Sequence, residues 1–246
     1  MIKKKREIKF ILAMKKVQAN VHYLGSLLFH SSSRIKDLRF LQEKLEARLM
    51  GWRSKTLSWA GRATLIKSAA MVLPMYSFSS SNVPTTICDK MDASIRCFWW
   101  NLSKESGRYL AWKAWNDLCV PKSMGGMGFR CAKQFNAALI AKLTWMIVSG
   151  RDSSFMHALR SKYQVKEGWI NREPLKKSSP TWRAIERLKP LIRSGACFVI
   201  GDGKKVDFWK DPWVPWLPGF LPSPKAGFLN TNLFFVANLI NWEINA

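Results

Sequence analysis

Apolar residues recur at helical spacing over most of this chain. Between Arg34 and Met50, Ile35, Leu38, Leu41, Leu45 and Leu49 fall three and four apart and share one face. Lys36, Arg39, Lys44 and Arg48 occupy the other face. Ser33 is placed to cap this helix and Gly51 to stop it. A second helix is predicted from Ser58 through Val72, ended by Pro74, with Leu65, Ile66, Ala69 and Val72 on its buried side. Pro84 opens a third, striped by Ile87, Met91, Ile95 and Phe98. Phe135–Val148 and Ser154–Tyr163 continue the pattern, joined by Gly150, Arg151 and Asp152 as a hairpin of helices.

Elsewhere the period weakens or changes. Val21–Phe29 reads as a strand or turn around Gly25. Residues 101–131 are irregular, and their glycine-rich turn, Ser123–Gly128, lacks the Gly-Lys-Ser/Thr ending of a phosphate loop. Gln164–Ser179 is polar and basic and reads as a linker. Thr181–Ser194 resumes helical spacing through Trp182, Ile185, Leu188 and Ile192, with Pro190 predicting a kink or break. In Cys197–Trp209 the period shifts toward two, which predicts a β-hairpin turning at Gly201-Asp202-Gly203. Asp211–Phe220, rich in proline and aromatic residues, predicts an ordered, non-helical cap.

The expected fold class is therefore mainly α: a helical bundle followed by a small helix plus β-hairpin unit. The expected boundaries are a basic lead-in at 1–22, a helical region at 23–163, a linker at 164–179, the small unit at 180–220 and a tail at 221–246.

Charge decides which partners are plausible. The 246 residues carry a formal net charge of +24, and 48% of them are hydrophobic. That much apolar content argues for a packed core. That much positive charge on a compact body calls for a polyanion, most simply RNA, DNA or an RNA–DNA hybrid. The basic residues are spread along the chain rather than gathered on one amphipathic helix, which argues against a membrane surface. Nor does any run reach the ~18 apolar residues of a membrane span. The N-terminus, MIKKKREIKF, lacks the apolar core of a secretion signal. An intracellular setting, nuclear or cytoplasmic, is expected. Lys3–Arg6 reads as a solvated basic helix end or a nuclear-import cluster.

Candidate chemistry is sparse. Cys88, Cys97, Cys119, Cys131 and Cys197 form no Cys-x-x-Cys pair, and His22, His30 and His157 are not spaced with them as metal ligands. Asp89 and Asp92 lie within one helical turn and read as exposed charges near a helix start. Asp202 reads as a turn residue and Asp207 as a solvent-facing strand residue. No serine sits in a Gly-x-Ser-x-Gly elbow. No cofactor is expected. Most of the thirteen tryptophans read as core or half-buried anchors, leaving others to stack on bases.

A co-linear series of short motifs adds to this reading. Tyr23-Leu24-Gly25, Leu49–Ile66 (LMGWRSKTLSWAGRATLI), Leu73–Tyr76 and Phe98-Trp99-Trp100 come first. Trp112–Leu118, Pro121–Phe129, Phe135–Leu139 and Ala141-Lys142 follow. Ser179–Arg183, Arg193-Ser194-Gly195, Ile200–Gly203 and Trp209–Pro215 complete it. In this order they resemble the region downstream of the polymerase palm in plant LINE-type (non-LTR) retrotransposon reverse transcriptases, over roughly Tyr23–Pro215. Three places depart from the family pattern, at Leu27–Phe29, Ser79–Asn82 and Phe198–Gly201, as a decaying copy would.

The resemblance implies thumb-like helices that grip template and nascent duplex, beside a palm that holds Mg²⁺ on a paired Asp-Asp. This chain contains no Asp-Asp pair, so no catalysis is expected of it alone. A palm-containing element protein is the implied partner. Arg53, Lys55, Arg62 and Lys67 are the candidate phosphate contacts, because basic helix faces neutralise phosphates without reading sequence.

Overall fold

A leucine stripe organises the first part of the chain. In the computed structural model, Leu38, Leu41, Leu45 and Leu49 are buried along one face of α1 (Arg34–Arg53). Ile35, expected on the same stripe, is exposed. The helix does not stop at Gly51 but runs to Arg53, because Trp52 finds a partner there: its ring lies 6.0 Å from Phe98. The structure describes residues 33–53, 55–101, 109–166, 168–223 and 235–240, with 11, 22–23, 26–27 and 31. Apart from those few positions, the expected lead-in, with Lys3–Arg6, lies outside the described residues, as do Gly25 and most of the expected tail.

His22–Tyr23 (β1) and Ser26–Leu27 (β2) pair antiparallel, His22 opposite Leu27 and Tyr23 opposite Ser26. Beyond α1, Ser58 caps α2 (Trp59–Leu65) by accepting the Gly61 N–H at 3.2 Å. The helix then widens into a π-helical turn, Ile66–Ala70, in which the Met71 N–H donates to the Ile66 carbonyl at 3.0 Å. The extra residue in this turn rotates the register. Ile66, Ala70 and Met71 are buried, while Val72, expected inside, is exposed.

Pro74 precedes α3 (Met75–Ser80), and Pro84 precedes α4 (Thr85–Trp100). The expected stripe of Ile87, Met91, Ile95 and Phe98 is buried on α4. A short α5 (Trp115–Cys119) leads into the glycine-rich turn, and α6 (Ala132–Val148) follows. Two buried polar side chains fasten α6 to earlier helices. Asp92, 8% exposed, accepts the Ala132 N–H at 3.0 and 3.2 Å. Asn136 donates to the carbonyls of Phe78 and Ser81 and accepts the Val83 N–H. Asp89 is exposed as expected; Asp92 is not, because it caps a helix forty residues further on.

The chain divides into two compact units, 1–142 with 179–181 and 143–178 with 182–246. In the second, Arg160 on α7 (Ser154–Tyr163) donates to the carbonyls of Met146 and Ile147, satisfying the end of α6. Trp182, on α8 (Pro180–Arg187), stacks on Tyr163 at 3.9 Å and packs against Trp169 at 5.5 Å. Trp169, within the stretch read as a linker, is buried. Lys189 and Glu186 form a buried ion pair at 3.4 Å, with the ammonium 4.2 Å from the Trp169 ring. The helix breaks as Pro190 predicts, at Leu188, before α9 (Lys189–Gly195).

The fold is mainly helical, but the β-hairpin expected over Cys197–Trp209 is not formed. Gly203 does turn the chain, at φ +67°. The arms on either side pair elsewhere. Phe198 N–H donates to Pro212 O at 2.7 Å, Val236 N–H to Val206 O at 3.0 Å, and Ala237 N–H to Gly203 O at 3.1 Å. Asp207 forms an isolated bridge with Phe235. Two local causes separate the arms. Val199 is 96% exposed and offers no apolar face to a partner strand. The Asp207 carboxylate accepts the N–H groups of Trp209 and Lys210, which bends the second arm into a turn. Asp202 is a turn residue as expected, accepting the Lys204 N–H.

Candidate nucleic-acid interface

The four basic residues expected to contact phosphate have different surroundings. Arg53 closes α1, and its Nη2 donates to Cys97 Sγ at 3.2 Å. Arg62 turns inward: Nη1 donates to the Trp99 carbonyl at 2.7 Å, Nε to the Leu57 carbonyl at 3.5 Å, and the guanidinium lies 4.0 Å from the Trp59 ring centre. Burial lowers its pKa. Lys67 lies 5.9 Å from the Phe129 ring. Burial, and then the neighbouring Lys122 charge, lower its pKa. Lys55 is exposed, just past the end of α1.

Of these four, Lys55 lines a groove of about 960 Å³ between α1 and the segment Ser68–Ser77. The α1 wall carries Phe40, Lys44, Arg48, Trp52 and Lys55, and the opposite wall carries Val72, Leu73 and Tyr76. Ala47, Gly51, Ser68 and Ala69 also line it, and their small side chains leave the space open. From Phe40 to Lys55 this wall runs ~22 Å at the rise of an α-helix.

Among the described residues, no acidic one lines the groove. The carboxylates of α1 are engaged elsewhere. Glu43 pairs with Arg39 at 3.2 Å. Glu46 accepts from Gln42 at 2.8 Å and from Ser94 at 3.1 Å. Among the described residues no carboxylate forms an ion pair with Lys44, Arg48 or Lys55. Lys44 lies 5.3 Å from the Phe40 ring, and Tyr76 is 42% exposed. The described lining brings together three cations, Lys44, Arg48 and Lys55, and three rings, Phe40, Trp52 and Tyr76.

Sequence reasoning placed Lys44 and Arg48 on the outer face of α1 without the rings beside them. The signal was present in the spacing. Phe40, Lys44, Arg48 and Trp52 fall within about a third of the helix circumference at 100° per residue. Tyr76, from the facing segment, carried no such signal.

A second aromatic group sits at the end of α4. Trp59, half exposed, meets Trp99 edge-on at 4.9 Å and Trp100 at 5.8 Å, and Trp99 meets Phe129 at 5.2 Å. Most of these rings serve packing.

Three of the thiols are held toward the protonated form. Burial, reinforced by the Asp92 and Asp89 carboxylates, pushes Cys88 up to about 12. Burial also pushes Cys119 up to about 12 and raises Cys131. Among the described residues no three His, Cys, Asp or Glu side chains gather as a metal site. Asp207 and Asp211 accept backbone N–H groups instead. No helix of the described residues is long and apolar enough to cross a membrane.

The class defined so far is a basic, mainly helical protein with an acid-free groove of cations and rings. Two relatives, both from Arabidopsis thaliana, give it a family. The chain is 37% identical over 179 residues to "Putative ribonuclease H protein At1g65750", a match that covers 72% of this chain and 29% of that protein. It thus spans less than a third of that relative's length. It is 33% identical over 145 residues to "Uncharacterized mitochondrial protein AtMg00310", covering 58% of this chain and 94% of the relative. The chain belongs to the family of that second protein. No protein-family model and no solved structure matches it.

Proposed function

We propose that this chain corresponds to the thumb-like region of a reverse transcriptase derived from a plant LINE-type retrotransposon, and that it binds template or primer nucleic acid without itself carrying catalysis. The observation that supports this reading best is the groove beside α1, where Lys44, Arg48 and Lys55 stand together with no carboxylate among them. Three such cations bind phosphates by releasing counterions, which gives affinity without base selectivity. The name of the first relative, a ribonuclease H protein, points to nucleic acid as well. The absence of an Asp-Asp pair from the sequence supports a non-catalytic role.

Titration of the purified chain against a fluorescent RNA–DNA hybrid at several salt concentrations tests the reading. Affinity should fall log-linearly with salt and differ little between base sequences. Absence of binding at low salt by a folded sample would refute it.

A second reading is favoured by the small share of the first relative that the chain covers. A region of this kind contributes to RNA-directed DNA synthesis when a palm is supplied in trans. Metal-dependent primer extension should then need the palm, and extension by this chain alone would overturn the non-catalytic assignment.

A further inference from the structure

The groove differs from a plain basic face because aromatic rings line it together with its cations. Trp52 and Tyr76 line it from opposite walls, among Lys44, Arg48 and Lys55. A duplex keeps its base faces stacked on one another and offers rings only its backbone. An unpaired strand offers a π-face at every base, and aromatic side chains bind such faces with little sequence preference. Size points the same way. About 960 Å³ is the volume of a site for a small ligand or a few nucleotides. An acidic peptide would satisfy the cations but leave the rings without a partner of their own kind.

We propose that this groove is a single-strand site, with unpaired bases on Trp52 and Tyr76 and phosphates on Lys44, Arg48 and Lys55. It rests on the nucleic-acid reading above and narrows it to one place and one form of nucleic acid. The ~22 Å wall suits about four nucleotides, the lower end of single-strand site sizes.

Fluorescence anisotropy with the full chain tests this, using a labelled oligothymidylate of about 12 nucleotides and a hairpin duplex of equal charge. The single strand should bind roughly 10-fold tighter than the duplex. Tyr76→Ala should weaken single-strand binding roughly 10-fold and leave duplex binding within about 2-fold. Tyr76→Leu, which keeps an apolar side chain, should show the same loss. Replacing Lys44, Arg48 and Lys55 by Gln should reduce the single-strand salt slope by about 2. Crosslinking with a 5-iodouracil oligonucleotide should label the peptides that hold Trp52 or Tyr76. Single-strand binding unchanged in all variants, crosslinks elsewhere, or equal competition by a polyglutamate peptide would overturn the site while leaving nucleic-acid binding intact. Failure to bind either oligonucleotide would overturn the wider reading with it.

Discussion

Arg62 donates from Nη1 to the backbone carbonyl of Trp99 at 2.7 Å, which ties the first turns of α2 to the last turn of α4. The same guanidinium covers the Trp59 ring and reaches the Leu57 carbonyl. A planar fork makes these contacts together, and an ammonium cannot. Arg62→Lys and Arg62→Ala should each lower stability by about 1–3 kcal/mol in urea unfolding. The salt slope of nucleic-acid binding by the folded variants should stay as in the parent. A changed slope with unchanged stability would make Arg62 a phosphate contact instead.

The contribution of Asp92 to stability depends on pH. Burial raises its carboxyl above the usual range, although the Ala132 N–H opposes the rise. The folded chain therefore holds this proton more tightly than the unfolded chain. The stability it contributes is complete below the unfolded value and is lost as pH rises through the folded value. Asp92→Asn keeps an acceptor for Ala132 and removes the titration. Its stability relative to the parent should improve from acidic to neutral pH, and an equal difference at both would contradict the assignment. Asp92→Ala should cost about 1–3 kcal/mol, by orphaning a buried N–H.

Asn136 is the other polar fastening of α6. Its Nδ2 donates to Phe78 O at 2.8 Å and to Ser81 O at 3.0 Å, and its Oδ1 accepts from Val83 N at 3.0 Å. Leucine fills the same space but leaves three backbone groups without partners. Asn136→Leu should destabilise by about 3 kcal/mol or more, seen as a fall in the urea midpoint. A loss below about 1 kcal/mol would mean that water replaces the amide.

Gly203 combines a positive φ with a close approach. A Cβ there would stand 2.6 Å from Ala237 N. Gly203→Ala should therefore disturb the pairing with residues 235–240 while the helices of the first unit persist. Limited proteolysis should cut the variant faster near its C-terminus, with the helical circular dichroism signal nearly unchanged. Equal cleavage rates would show that the loop yields without releasing the segment.

The sequence by itself determined the features whose causes lie within a few residues. The Leu38–Leu49 stripe and the Ile87–Phe98 stripe follow from helical periodicity, and both are buried. The Ser58 cap acts three residues away, and Pro190 breaks its own helix. Tertiary structure decided what depends on distant partners. Gly51 fails to end α1 because Trp52 packs on Phe98. Asp92 is a buried cap because Ala132 arrives above it, and the local charge pattern gave no sign of that. The expected hairpin dissolves because its arms bond to Pro212 and to residues 235–237. The groove has the same origin. Periodicity placed Lys44 and Arg48 near one another on α1, with Lys55 beyond its end. Only the packing of Ser68–Ser77 opposite them brings Tyr76 across and turns a basic stripe into a cleft. Local bonding preferences are written residue by residue, whereas contacts across forty residues depend on which helices pack together.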